Sequence, residues 1–298
     1  MIISDYDARM GLCALGLSGD PETQEMVREQ GALNMWLGLL NSESGSARSL
    51  SARRVDLAQL REATRRAGAR FIVPIDDEWP DALAQLDGHT IAGASGQPLG
   101  LWVKGSHLGL LPAPAVAVLG ARASTQYGDR VTNQLVTELS NHGATVVSGL
   151  AYGIDTAAHR AALHARGITL AVLASGIEQP YPSGNARLAA EIISTGGALV
   201  TEQAPGSRPT RGSFLTRNRL IAALSQGVVI CEAVPRSGAV NTAEWANTLG
   251  TPTMAVPGPI DSAMSCTPNA MIRDGRATSV TTGRDILATI TEQEAPAA

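Results

Sequence analysis

Between Glu202 and Glu232 the sequence holds four arginines, Arg208, Arg211, Arg217 and Arg219, and no acidic residue. Guanidinium groups gathered in this way suit bidentate capture of phosphate oxygens. The whole chain carries a net charge of −4, so any anion site is local, and global electrostatics argues against indiscriminate duplex binding. Inside the segment, FLTRNRLIAALS, Phe214 to Ser225, has the spacing of an amphipathic helix. At about 100° per residue, Phe214, Leu220, Ile221 and Leu224 share a face. Arg217 falls near the middle of that face, and Arg219 points the other way. A cation on an apolar stripe is costly unless it is paired or the stripe has left the core. The expectation is that the first turn protrudes past a sheet edge, where Arg217 meets an anion, while Arg219 holds Glu202 or Glu232.

Other chemistry is less well supported. Asp155 and His159 stand four apart, the spacing of an acid/base pair on one helix face. A helix-capping Asp followed by a structural His is the commoner meaning of that pattern, and no catalytic residue is assigned. Glu202 and Glu232 end apolar runs near the arginines and are better placed to orient guanidiniums than to do chemistry. No G-x-x-x-x-G-K-[ST] occurs, the loop from Gly120 lacks G-x-G-x-x-G, and Ser148-Gly149 stands where a dinucleotide fold places its ribose-binding acid. No cofactor is expected. Cys13, Cys231 and Cys266 match neither a disulfide framework nor a zinc spacing, so no metal is expected and they read as reduced thiols. His142 and His164 read as ordinary residues near helix ends.

The elements that position these residues follow from periodicity. From Ala115 onward one unit recurs: a short apolar run, a Gly/Ser-rich loop, then an amphipathic helix. The runs are VAVLG, ATVVSG, TLAVLA, ALVTE, VVICEA, TMAVP and ATSV. This predicts an α/β fold, Rossmann-like, with a doubly wound, mostly parallel sheet. Right-handed crossovers bring the loops after the strands to one edge. There Arg122 and Ser124 stand in GARASTQYG, Gly149 and Asp155 in SGLAYGIDTAAH, and Arg217 and Arg219 behind QAPGSRPTRGSF. Tyr127, Tyr152 and Tyr181, three of the four tyrosines, and Phe214, one of two phenylalanines, fall at that edge. Rings and guanidinium planes beside a phosphate-binding edge suit a single nucleic-acid strand. Bracing of loops by the tyrosines is the alternative for each.

Residues 1–70 read as a small helical domain, with Gly11 to Leu17, PETQEMVREQGALNMWLGLL and RRVDLAQLREATRRAG as helices and Asn41 to Ser49 as a loop. Residues 71–112 read as a connecting extension or an extra strand pair, with the boundary near Pro112. Residues 113–298 form the Rossmann-like domain. No apolar run is long enough to span a bilayer, and MIISDYDARM lacks the basic and apolar regions of a secretory signal, so a cytoplasmic location is expected.

In order along the chain, GARASTQYG, SGLAYGIDTAAHRAAL, GIEQPYPSGNARL, TEQAPGSRPTRGSFLTRNRLIAALS, CEAVPRSGAVNTAEWA, AVPG and NAMIRDG resemble the DNA-processing protein A (DprA/Smf) family. The resemblance covers about Phe71 to Gly275, and the helical N-terminal part is similar in size and kind to the family's SAM-like domain. It implies a cytoplasmic, non-catalytic homodimer that binds single-stranded DNA and helps load the RecA recombinase on DNA taken up in natural transformation. The binding edge it implies comprises Arg122, Ser124, Ser148, Gly149, Arg217, Asn218, Arg219, Ser237 and Gly238. Arg187, Arg211 and Phe214, in the same motifs, complete the candidate set. Thr267 stands where the family commonly has Gly, and after the last strand only GRDILATITEQEAPAA remains, so a C-terminal winged-helix module is not expected. SGAVNTAEW is also similar to the Thr/Glu loop of nucleoside-monophosphate phosphoribohydrolases, which leaves a nucleotide-hydrolysing enzyme open as an alternative. A sensor of a nucleotide-derived ligand is the other.

Overall fold

The computed structural model describes residues 3–294. Five helices come first. Helix α1 (Asp5–Ala14) starts with a reciprocal cap, in which the Ser4 hydroxyl accepts the Asp7 amide and the Asp7 carboxylate accepts the Ser4 amide. That cap starts the helix six residues before Gly11, and it stops at Ala14. Helices α2 (Pro21–Gln30) and α3 (Ala32–Asn41) replace the single long helix expected, because Gly31 takes φ +83° between them. Helix α4 (Ala47–Ala52), capped by Ser46, shortens the expected 41–49 loop to residues 42–46. Helix α5 (Leu57–Arg66) is capped by Asp56.

Next come β1 (Arg70–Ile72), the hairpin of β2 (Thr90–Ile91) and β3 (Ala94–Ser95), and β4 (Leu101–Gly105). The repeating part then runs β5 (Ala115–Gly120), α6 (Gln126–Asn141), β6 (Thr145–Ser148), α7 (Ile154–His164), β7 (Thr169–Val172), α8 (Ala186–Ser194) and β8 (Ala198–Thr201). It continues with α9 (Arg211–Ala223), β9 (Gly227–Glu232), α10 (Gly238–Thr248), β10 (Thr253–Ala255), α11 (Cys266–Arg273), β11 (Thr278–Ser279) and α12 (Gly283–Glu294). The large sheet has the order β1-β4-β8-β7-β6-β5-β9-β10-β11. Strands β5 to β11 pair parallel, whereas β4 lies antiparallel to both β8 and β1. The fold is Rossmann-like. Strands β1 and β4 are built into the edge of the large sheet, with the β2–β3 hairpin between them in the chain.

Chain order reverses at β5, with β6 on one side and β9 on the other, so the loops after these strands leave in opposite directions. In an open α/β sheet the crevice at such a switch point is where ligands sit. The β strands are apolar on both faces because helices cover both. Trp36 and Trp102 belong to the core shared by the N-terminal helices, α8 and the sheet, while Trp79 and Trp245 belong to the core under α9 and α10. All four are buried. The Trp102 indole donates to Thr64 Oγ1 at 2.9 Å, tying β4 to α5. Among the described residues no helix is long and apolar enough to cross a membrane.

Candidate nucleic-acid interface

Helix α9 sets the site. Thr210 and Ser213 cap it reciprocally, each hydroxyl accepting the other's amide at 3.1 and 2.8 Å. The stripe of Leu220 and Ile221 packs into the sheet core as the spacing predicts. The opposite side is covered too, by the β2–β3 hairpin and residues 81–86, so from Arg217 onward the helix is buried all round and both arginines are buried. This corrects the expectation that Arg217 stands in a turn protruding past the sheet edge; only Arg211 and Gly212, at the start of the helix, are exposed.

Arg217 is only 6% exposed and its Nη1 donates to the Val172 carbonyl at 2.7 Å. Its Nε is buried without a partner. It lies directly under Gly149, where a Cβ would come within 1.8 Å of Nη1, so the second loop requires glycine for this approach. Burial pushes the guanidinium down to about 10, opposed by the Asp155 carboxylate, and it stays charged at neutral pH. Arg219 is 0% exposed, with Nη1 and Nη2 donating to the two Glu202 oxygens at 2.6 Å each. The expected carboxylate partner is therefore present, and Arg219 is removed from the set of residues able to touch a ligand.

Internal groups also occupy two positions where a nucleotide phosphate would bind. Asp155 does not cap α7, whose N-cap is Gly153 without a side-chain bond. Its carboxylate turns back and accepts the Gly149 and Ala151 amides at 3.2 and 3.3 Å. Burial raises its pKa, and Arg217 and those amides oppose the rise. Glu232 holds no arginine; it accepts the Thr125 amide at 2.9 Å and hydroxyl at 2.6 Å at the start of α6. His159 is buried, with Nδ1 2.7 Å from Thr169 Oγ1. Burial, with Arg217 adding to it, pushes the imidazole down to about 3. An acid/base couple of Asp155 and His159 has no access to a substrate here.

The remaining candidates divide by exposure. Arg122, Arg187, Arg211 and Gly238 are exposed. The Arg122 guanidinium lies 4.6 Å from the centre of the Phe214 ring, and Tyr181 meets that ring edge-on at 6.0 Å. Tyr181 and Tyr152 are 48% and 51% exposed. Ser124 is half-buried and donates to Asp129 at 2.5 Å. Ser148 points into the sheet and donates to the Val118 carbonyl at 2.8 Å, so its hydroxyl is not at the edge. Asn218 is buried, and its amide donates to the Gly238 carbonyl and Asn241 Oδ1, each at 3.2 Å, which seats the start of α10. Ser237 is the N-cap residue of α10 with its hydroxyl unpartnered. Tyr127 donates to the Pro257 carbonyl and braces that loop. Thr267 lies inside α11, where the backbone needs no glycine.

Two exposed arginines extend the edge beyond the candidate set. Arg208 precedes α9, and Arg236, at φ +63°, precedes Ser237. Arg236 was legible as the basic residue immediately before a Ser-Gly helix start. With Arg122, Arg187 and Arg211 they stand on the loops and helix starts that follow the strands, the edge that also carries the Tyr181–Phe214 ring pair.

The fold is a doubly wound, Rossmann-like one whose switch-point edge carries exposed arginines and rings. The model for DNA recombination-mediator protein A matches residues 70–291, and the chain belongs to that family. It is 46% identical over 255 residues to the putative DNA processing protein DprA of Mycobacterium tuberculosis, covering 83% of this chain and 63% of that one. To Protein Smf of Escherichia coli it is 39% identical over 218 residues, covering 72% and 55%. The chain thus spans less than two thirds of the length of these relatives. The X-ray structure of DprA from Streptococcus pneumoniae superposes with a TM-score of 0.77 at 33% identity, covering 97% of this chain and 98% of that one. A structure describing the single-stranded DNA binding mode of DNA processing protein A from Helicobacter pylori gives 0.64 at 28% identity, covering 75% and 96%.

Proposed function

We propose that this chain binds single-stranded DNA along the switch-point edge, without catalysis, and as a cytoplasmic homodimer loads the RecA recombinase on strands entering by natural transformation. One observation carries the DNA reading: the Arg122–Phe214–Tyr181 cluster, a guanidinium and two rings gathered in one place and flanked by the exposed Arg187, Arg208, Arg211 and Arg236. Guanidiniums hold phosphates and rings stack bases, and only an unpaired strand offers both together. The family membership and the Helicobacter pylori relative support the same reading. Nucleotide hydrolysis is disfavoured, because Asp155 and Glu232 occupy the loop amides and Glu244 lies on the exposed side of α10.

Mobility shifts with single-stranded and duplex oligonucleotides of equal length, at two salt concentrations, test it. Strong preference for the single strand is expected, with each stacked base contributing about 1–3 kcal/mol. Equal affinity for both forms overturns the reading. Light scattering tests the dimer, and RecA-coated strand formation with and without the protein tests the loading step.

A further inference from the structure

Among the described residues the most highly bonded buried charge is Arg219, and its partners come from widely separated parts of the chain. Besides Glu202 at the end of β8, Nε donates to the Gly96 carbonyl just after β3 at 2.8 Å, and Nη1 also donates to the Thr216 carbonyl at 2.8 Å. The hairpin continues the chain of contacts. The Ser95 amide donates to the Gly19 carbonyl at 2.8 Å, and Gly96 lies against the Gln24 side chain. Gly19 sits between α1 and α2 at φ +76°, and a Cβ there would come within 2.6 Å of Thr216 Cγ2 and 3.3 Å of the Arg219 guanidinium carbon. One side chain therefore joins the DNA-edge helix α9, the sheet, the β2–β3 hairpin and the turn between the first two N-terminal helices.

Stability alone is a poor account of this pair. Apolar residues of the same volume commonly do as well or better than a buried ion pair, because both charges lose their hydration. What the pair supplies is direction, since a planar guanidinium bonded along several edges fixes how α9 is rotated and how far it is advanced relative to β8. The same helix begins with Arg211 and carries Phe214, so its seating decides where that guanidinium and ring stand. We infer that Arg219 is a positioning residue through which the N-terminal helical domain seats α9, so that this domain tunes DNA binding without touching the strand. The inference rests on the single-strand reading given above.

Gly19→Ala and Arg219→Lys test it from the two sides of the junction. The first presses a methyl group from the helical domain onto α9. The second keeps the charge opposite Glu202 but loses the planar fork. Single-strand dissociation constants are measured on folded protein well below its unfolding temperature, together with amide hydrogen exchange across residues 211–219. Both variants are expected to bind about three- to thirtyfold more weakly, the range of coupling through packed networks, with faster exchange in that segment. Unchanged affinity and unchanged exchange in folded Gly19→Ala, even with a lowered unfolding temperature, overturn the inference, since a merely structural junction behaves in that way. Should the wild-type chain fail to bind single strands, the functional reading falls, and the exchange measurement alone decides whether the helical domain seats α9.

Discussion

At the ends of β6 and β9 the protein's own carboxylates, Asp155 and Glu232, take the loop amides, whereas around α9 and α10 the guanidiniums of Arg122, Arg208, Arg211 and Arg236 are left in solvent. The two parts of one sheet edge have opposite chemistry. The first is closed by internal countercharges and serves to hold loop shape. The second is open, basic and ring-bearing, as a long flexible polyanion requires and a compact mononucleotide does not. The Rossmann-like crevice is thus closed by carboxylates on one part of the edge and exposed and basic on the other.

The comparison breaks most visibly if a closed-side or buried group proves dispensable for folding. Arg219→Ala leaves Glu202 buried without a partner and is expected to cost about 3–5 kcal/mol of stability, read by denaturant unfolding. Arg217→Ala, which deprives Val172 of a donor and Asp155 of its countercharge, is expected to cost about 1–3 kcal/mol. A fully stable Arg217→Ala protein would return that residue to the open side. Phe214→Ala on the open side is expected to weaken single-strand binding by about 1–3 kcal/mol, the worth of one base stack.

Acid sharpens the same contrast. The His159 pKa lies near 3 in the folded chain against 6.5 ordinarily, so between those values the unfolded chain takes a proton that the folded one refuses. Its contribution is complete above pH 6.5 and is lost as the pH falls toward 3, at up to about 1.4 kcal/mol per pH unit. Unfolding curves of wild type and His159→Gln across that window are expected to converge at acid pH. The smallest effects belong to single exposed arginines. Arg211→Ala and Arg122→Ala should each lower the log–log salt slope of binding by about 0.7, with unfolding free energy within about 0.5 kcal/mol of wild type.

Periodicity showed the central sheet strands and their order of appearance, because helices covering both faces make β6, β7, β8 and β9 buried apolar runs. It also showed that Arg219 needs a carboxylate. Arg217 does lie on the sheet-facing stripe, as periodicity has it, but the stripe has not left the core at that turn: the guanidinium is held under the β6 loop by the Val172 carbonyl, and spacing alone does not say how far along its length a helix stays covered. Ser148 shows a second limit: at a strand end, alternation does not say whether a hydroxyl faces the ligand edge or the neighbouring strand's carbonyl. The diversion of Asp155 to Gly149 and Ala151 is a matter of loop curvature, which spacing does not encode. The Arg122–Phe214 contact joins the loop after β5 to the start of α9, about ninety residues on, and became visible only when the strand order was known.

The placement of the tryptophans decides what light can report. Trp36 and Trp102 lie in one core cluster and Trp79 and Trp245 in a second, all buried and none on the basic edge, while the third cluster, against α6 and α7, holds none. Their emission therefore follows the melting of those two clusters while remaining insensitive to a strand lying on the surface. Binding needs a label on the oligonucleotide, and a change in intrinsic fluorescence on adding DNA would signal movement of the cores themselves.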